Sequence, residues 1–444
     1  MNLTPVRGLL ASAFMIASSF AFGACGDNDE TIAPGPWYEP AEGTAERIAW
    51  DLGLVQYLNV AQPISITETK GSDVYEFDPA DGPLCLRGAP FRTSIRRNDT
   101  SEDLLIFLQG GGACWSDFCL ATKTAPPGVP PKGEVLDPTL ERNPMRDWNV
   151  LYLPYCDGSL FIGDNDIDED GDGSPDRFHR GLQNTSAALS VGHREFPSPN
   201  RIVLAGSSGG GYGTILASFL VRYVWPDTPI YIINDSGLGI GKEGDPSFVD
   251  QLISEFGAEK FRPTDCPDCF TDGHIIRLVD YLLSRDPNTK VAVFSAWYDS
   301  ILADTFIQIG REAFAESTDA KSTEIHEAHP DQYRRFIIDD YSHTGILGNV
   351  SGVVGTDLVN GVEVPSNIME LLNELKINNL LASIGDLTLG DWLTSFINDD
   401  MDAWVDILAE RTPLPTDDGS DTGDGDDTDD GDDSDDGDDT DGTP

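Results

Sequence analysis

The chain has 444 residues, 39 % of them hydrophobic, which is enough for a sizeable core and too many for global disorder. Its 28 Lys and Arg stand against 77 Asp and Glu, a net charge of −49, which argues against binding a phosphate backbone and against docking on anionic lipid by charge. No apolar run of 18 or more residues lies inside the body, so nothing there reads as a membrane span.

Residues 1–24 read as an export signal. Arg7 supplies a short positive segment, and 8–24 (GLLASAFMIASSFAFGA) is apolar and rich in small residues. The run meets Phe22-Gly23-Ala24-Cys25-Gly26, which resembles a bacterial lipobox whose cysteine, Cys25, becomes the acylated first residue of the mature chain. Leu is usual where Phe22 stands, and a plain secretory signal with a chance cysteine is the alternative. Either reading takes the chain to a compartment where disulfides form. Residues 26–45 are polar, with Pro34, Pro36 and Pro40, and read as a linker. At the other end, residues 415–444 hold 15 Asp and no Lys or Arg. Such a block cannot bury a core and is expected to be disordered, as a solvated tail or in loose association with Ca²⁺. That leaves 46–412 as the folded body.

Short apolar runs bounded by turn residues predict buried strands in the body. They are 104–108 (LLIFL), 150–154 (VLYLP), 202–205 (IVLA), 230–233 (IYII), 291–294 (VAVF) and 336–338 (FII). Helical stretches fall between them, such as 213–223 and 275–284, and two more helices are expected over 367–384 and 391–410. This alternation predicts an α/β fold with a mostly parallel central sheet and helices on both faces. In such sheets sites form at the C-terminal ends of strands.

The most informative stretch is 201–223, RIVLAGSSGGGYGTILASFLVRY, in which Gly206-Ser207-Ser208-Gly209-Gly210 fits G-x-S-x-G. It follows a buried strand and opens an apolar helix, the context that motif requires. A strand-to-helix turn this tight needs small neighbours, and it lifts the Ser208 hydroxyl above the sheet edge. The Gly209 N–H is then placed to donate into an oxyanion site. A backbone phosphate cradle is the competing reading, but no Lys follows to support a P-loop. Ser207 is the off-by-one alternative, and the spacing favours Ser208. The strand 104–108 runs into Gln109-Gly110-Gly111-Gly112-Ala113-Cys114-Trp115, a glycine loop suited to supply a second oxyanion N–H from Gly111 or Gly112, with Trp115 as a wall of an acyl pocket. A merely flexible loop is the bland alternative.

Several segments, in order, resemble the pectin acetylesterase/Notum carboxylesterase family of α/β-hydrolases. They are 82–97 (GPLCLRGAPFRTSIRR), 104–115, 143–164 (NPMRDWNVLYLPYCDGSLFIGD), 177–181 (RFHRG), 203–213 (VLAGSSGGGYG), 296–300 (AWYDS) and 342–344 (SHT). The resemblance covers roughly 80–345 and implies ester hydrolysis by a Ser-Asp-His triad. Family members often read E-G-G-G-W-C where this chain has Gln109 and Ala113-Cys114, and the acidic insertions and C-terminal additions are its own. Those departures bear on the substrate rather than on the chemistry. Asp299, in Trp297-Tyr298-Asp299-Ser300, stands where the family places its acid, and a strand-end carboxylate can hold a histidine tautomer. Asp235, after the run IYIIN, is its rival and is otherwise expected to shape the floor of the substrate pocket. Either could instead be a helix N-cap. Of six histidines, His179 and His193 precede Ser208, against the usual chain order; His274 opens a helix; His326 and His329 sit in a polar segment. His343 follows a strand, lies in a loop and matches the family's SHT segment, so it is the expected base.

With Cys25 set aside, Cys85, Cys114, Cys119, Cys156, Cys266 and Cys269 remain. Locality suggests Cys114–Cys119 and Cys266–Cys269, which leaves Cys85–Cys156. A zinc site at the lone CxxC lacks a second CxxC, and a redox dithiol lacks its strand-linked helix. Residues 164–176 (DNDIDEDGDGSPD) carry Asp168, Asp170, Asp172, Gly173 and Asp176 in the pattern D-x-D-x-D-G-x-x-D. This resembles the short Ca²⁺ loops of dockerin or thrombospondin-type repeats. The full EF-hand pattern fails at its last position, and a solvated loop is the alternative.

The expectation is thus an exported, lipid-anchored or secreted monomeric serine carboxylesterase. It needs no cofactor for catalysis and carries structural Ca²⁺ at the insert. Its partner is an ester substrate, with an acylated polysaccharide such as pectin as one candidate; nucleic acid is not a partner, and a membrane is one only through the anchor. A non-catalytic glycan- or cation-binding surface protein, and a lipid or polyester hydrolase, are the alternatives.

Overall fold

The computed structural model describes residues 37–121, 128–348 and 376–414. Residues 1–36, which include Cys25 and the segment expected to direct export, and the Asp-rich stretch 415–444 lie outside the described residues.

Ten strands form one sheet: β1 (Pro63–Thr69), β2 (Ser72–Phe77), β3 (Arg92–Arg96), β4 (Leu104–Leu108), β5 (Asn149–Leu153), β6 (Ile202–Ser207), β7 (Ile230–Asp235), β8 (Thr289–Ala296), β9 (Tyr333–Ile338) and β10 (Ile407–Leu408). Their spatial order is β1-β2-β3-β5-β4-β6-β7-β8-β9-β10. The pairings among β1, β2, β3 and β5 are antiparallel; from β5 to β10 every pairing is parallel. The seven helices are α1 (Arg47–Asp51), α2 (Gly181–Glu195), α3 (Gly209–Val224), α4 (Pro246–Phe256), α5 (Arg277–Leu283), α6 (Arg311–Ala328) and α7 (Leu389–Ile397), counted among the described residues. The expected α/β architecture with a mostly parallel sheet is present.

The apolar runs are continuous because both faces of the sheet are covered. Leu104, Ile106 and Leu108 of β4 and Ile202 and Leu204 of β6 belong to the core packed by α1 to α5. Their alternating neighbours Leu105, Phe107, Val203 and Ala205 belong to the opposite core, where Trp392, Leu393 and Phe396 of α7 pack. The polar, alternating strands β1 to β3 escaped a search for apolar runs. β1 is an edge whose Ile64 and Ile66 are exposed.

Two helix expectations need correction. Of 367–384, residues 367–375 lie outside the described residues. The rest holds no helix, only the strand Ser383–Ile384 paired with Leu387–Thr388. The expected helix 391–410 is α7 alone, because the chain reverses at Asn398-Asp399-Asp400 and continues into β10. Asp399 has φ 55° and its carboxylate accepts from Tyr231 Oη at 2.6 Å and Lys290 Nζ at 2.6 Å, while Trp404 folds back on Phe396 at 4.7 Å. Tertiary partners outweigh helical periodicity there. Within the stretch read as linker, Tyr38 is docked: its hydroxyl donates to Tyr223 O at 3.0 Å, and the Tyr223 hydroxyl donates back to Tyr38 O at 2.7 Å.

Candidate active site

Four adjacent parallel strands deliver the polar groups to one edge of the sheet. Ser208 follows β6, Asp235 ends β7, Asp299 lies just beyond β8, and His343 lies in the loop after β9. In register, Ser207 pairs with Asp235 and Asp235 with Phe294.

Ser208 has φ 57° and ψ −122°, a left-handed conformation for a residue with a side chain, at the junction of β6 and α3. Such strain persists only where the surroundings enforce it. Here the Ser208 N–H donates to Asp235 O at 2.8 Å, and the Tyr212 N–H donates to Ser208 O at 3.1 Å. The two glycine loops meet at this point. A Cβ on Gly110 would lie 2.5 Å from Ser207 O and 3.0 Å from Ser208 Cβ. Gly112 has φ +84°, and a Cβ there would collide with the Leu120 carbonyl oxygen. Gly209 opens α3, so its N–H has no intrahelical acceptor; a Cβ on it would stand 3.0 Å from Gly112 O.

The Asp299 carboxylate is fully buried. Its Oδ2 lies 2.7 Å from His343 Nδ1, and its Oδ1 accepts from the N–H groups of Ile301 and Leu302, each at 3.1 Å. This bond assigns the proton to Nδ1, which leaves the Nε2 lone pair free. His343 Nε2 is buried without a hydrogen-bond partner among the described residues. The backbone of the same loop is tied down: His343 N–H donates to Lys376 O at 2.8 Å and Thr344 N–H to Ser236 Oγ at 3.0 Å.

On the other side of Ser208 lies a pocket whose lining is almost wholly apolar. Trp115, Leu216, Phe248, Ile253, Phe256 and Phe306 are among the large apolar side chains of its wall, and Ser208, Gly112 and Gly209 stand on it. Tyr212 lines it too, but its hydroxyl is spent on Ile240 O at 2.8 Å. Trp115, expected to wall an acyl pocket, lies on this lining. Gly111 and Asp235 are not on the lining. Asp235 is a correction to the pocket-floor expectation, because it is fully buried beneath the loops. It accepts from Ser207 Oγ at 2.6 Å, Gly345 N–H at 2.9 Å and Ile346 N–H at 3.1 Å. Burial pushes its carboxyl up to about 6, against the opposing pull of those donors and of His343. The α4 wall was missed from sequence. Its signal was present: Phe248, Leu252 and Phe256 recur at i, i+4, i+8, with Val249 and Ile253 beside them.

A model of the pectinacetylesterase family matches residues 74–333. The chain belongs to that family. It is also similar to pectin acetylesterase 11 of Arabidopsis thaliana, 24 % identical over 247 residues, which cover 50 % of this chain and 60 % of that protein. The chain thus spans less than two thirds of that relative's length. The stretch matched by the pectinacetylesterase model contains Ser208 and Asp299 and stops short of His343.

Three disulfides are present among the described residues of this family member, paired as locality suggested: Cys85–Cys156, Cys114–Cys119 and Cys266–Cys269. The second clamps the hairpin Gly112–Trp115/Phe118–Ala121, which carries Gly112 and Trp115 to the pocket. In the acidic insert, Asp168, Asp170 and Asp176 each bring a carboxylate oxygen within 4.8 Å of the others; Asp172 is not among them. Asp172 instead accepts from Ser174 N–H at 2.8 Å, and Asp168 from Gly171 and Gly173 N–H at 2.7 and 2.8 Å. Three hard carboxylates suit a divalent cation such as Ca²⁺.

The remaining histidines stand apart from Ser208 in role. His274 is fully buried, with Nδ1 accepting from Gly241 N–H at 2.8 Å and Nε2 on Glu243 at 2.9 Å. His326 faces Tyr333 O, and His329 faces Asp280. Their segment, expected to be polar, is the end of α6 and its cap.

Proposed function

We propose that the chain is a serine carboxylesterase in which Ser208 is the nucleophile, His343 the general base and Asp299 the group that orients it. The observation that carries this reading is the 2.7 Å His343–Asp299 bond with Nε2 left free, on the same sheet edge as a strained serine. His343 Nε2 takes the Ser208 proton as Oγ attacks the ester carbonyl. The oxyanion is met by the Gly209 N–H and by a second N–H from the 110–112 loop. Protonated His343 then gives its proton to the leaving alcohol. Water, deprotonated by the same ring, releases the acid and frees Ser208.

The apolar pocket beside Ser208 favours an acyl group with several methylenes, each worth about 0.8 kcal/mol when buried. An acetyl group would leave most of that wall without contact. The family name and the plant relative favour the second reading, removal of acetyl groups from a polysaccharide such as pectin. Export, with acylation of Cys25, fits the three disulfides and the apolar N-terminal segment; monomeric action is proposed with it, and Ca²⁺ at Asp168, Asp170 and Asp176 is proposed as structural.

The test is hydrolysis of p-nitrophenyl acetate and octanoate by wild type and Ser208→Ala. The expected result is octanoate preferred by kcat/KM and a loss of at least about 10³-fold in the variant. Acetate preference would move the assignment to the second reading. A wild type inert toward every chain length would leave a binding protein.

A further inference from the structure

Asp235 is the buried ionisable group at this edge that the proposed reaction does not use. It donates nothing to the pocket and touches no surface, yet its carboxylate joins two distant segments. One oxygen, Oδ1, accepts from Gly345 N–H; the other, Oδ2, accepts from Ile346 N–H and from Ser207 Oγ. Ser207 immediately precedes the strained serine, and Gly345 and Ile346 immediately follow His343-Thr344. The backbone adds a fourth tie, Ser208 N–H to Asp235 O. The segment 342–346 makes no regular secondary structure. Its geometry is held by its neighbours: backbone bonds to Lys376, Asn378 and Val135, one bond to Ser236 Oγ and two to the Asp235 carboxylate.

We propose that Asp235 is a positioning residue for the reaction: its carboxylate ties the turn bearing Ser208 to the loop bearing His343 and so sets the distance between hydroxyl and imidazole. The proposal rests on the serine-esterase reading above. Ionised, the carboxylate accepts charge-assisted bonds from all three donors. Protonation removes that charge and leaves weaker acceptors toward the Gly345 and Ile346 N–H groups, while the Ser207 hydroxyl can turn to accept. Burial sets this event near pH 6, within the working range of an esterase. The titratable group that faces Asp235 is His343. Asp299 stands on the Nδ1 side of that ring, and Tyr212 on α3, committed to Ile240, is the ionisable group of the adjoining helix.

The test compares wild type, Asp235→Asn, Ser207→Ala and Ser208→Ala. Readouts are p-nitrophenyl octanoate kinetics across pH 4.5–9, labelling by a fluorophosphonate, and thermal unfolding. Asp235→Asn keeps the shape but puts an NH₂ against one of the loop N–H groups. The expected result is a folded variant with KM within about twofold, kcat lower by on the order of 10²-fold, and slower labelling, as for a displaced reacting pair. Its acid limb should drop from two protons to one. Ser207→Ala, which keeps both loop bonds, should lose less. Wild-type kcat with an unchanged acid limb in Asp235→Asn overturns the proposal. If Asp235→Asn does not fold, Ser207→Ala decides, because it cuts the carboxylate's bond to the Ser208 turn: kcat and labelling below wild type support the proposal, and wild-type values overturn it. A wild type that neither hydrolyses nor labels overturns the esterase reading, and this proposal with it. An active wild type beside an indistinguishable Asp235→Asn overturns this proposal alone.

Discussion

Ser208 stands between two walls built on opposite terms. On one side Asp235, Asp299 and His343 are buried polar groups, and each carboxylate accepts three hydrogen bonds from named donors. On the other side Trp115, Leu216, Phe248, Ile253, Phe256 and Phe306 make a surface with almost no polar atom. The first wall can be built in few ways, since a buried carboxylate left unpaired costs several kcal/mol. The second needs only volume and apolarity, and many sequences supply those. The polar wall should therefore respond to single atoms and the apolar wall to size.

The sharpest way to break that comparison is at Asp299. Asp299→Asn preserves shape but turns one acceptor into a donor and favours the wrong imidazole tautomer. The expected outcome is a fall in kcat of about 10³- to 10⁴-fold with little change in KM or in melting temperature. Steady-state kinetics on a short-chain ester checks it. A variant within tenfold of wild type would mean that His343 is held by its backbone ties alone and that Asp299 acts as the cap of Ile301 and Leu302.

The apolar wall answers to a smaller and differently shaped change. Ile253→Trp places a larger ring into the pocket from α4. It should cut kcat/KM for octanoate by about tenfold, since each methylene denied burial costs about fourfold, while acetate stays within about twofold of wild type. Equal loss on both esters would place the pocket off the acyl path, whatever its proximity to Ser208.

The same contrast explains what was legible before the structure. The turn around Ser208 is written in consecutive residues, because a strand-to-helix elbow demands small neighbours at fixed offsets. Asp299 and His343 became visible through strand ends and resemblance to a family, since their bond joins residues far apart in the chain. The disulfide partners of Cys114 and Cys266 were legible for the opposite reason, being local. Of the apolar wall only Trp115 was named from sequence; the rest comes from α3, α4 and the 301–307 segment, and the apolar periodicity of α4 marks a buried face without saying what it faces. Asp235 was singled out but misplaced. A strand-end carboxylate can face the pocket or the loops, and only the position of Gly345 and Ile346 decides. The overextended helix at 391–410 failed where Asp399 found Lys290 and Tyr231.

Each wall also hides one ionisable group with a pKa displaced by burial, and the displacements oppose one another. Behind the apolar wall, His179 is fully buried, its ring 5.0 Å from that of Phe256, and burial lowers it to about 4, with Arg177 adding to the effect. The folded chain therefore keeps His179 neutral while the unfolded chain protonates it, so stability is lost as pH falls from about 6.5 to about 4. Behind the polar wall, Asp235 is raised to about 6, so the folded chain binds a proton that the unfolded chain does not. Its contribution has the reverse sign: stability is gained as pH falls through about 6 toward the ordinary carboxylate range. In the wild type the two slopes offset one another between about pH 6 and 4, each weighing about 1.4 kcal/mol per pH unit at most. Replacing one group should expose the other. Relative to wild type, His179→Leu should gain stability on acidification from pH 6.5 to 4.5, and Asp235→Asn should lose it. Denaturant unfolding at a series of pH values reads both, and taking each variant against wild type cancels the many surface carboxylates they share. Parallel curves for His179→Leu and wild type would mean that His179 is protonated as readily in the fold as in water, and that the wall behind Phe256 is wetter than its packing indicates.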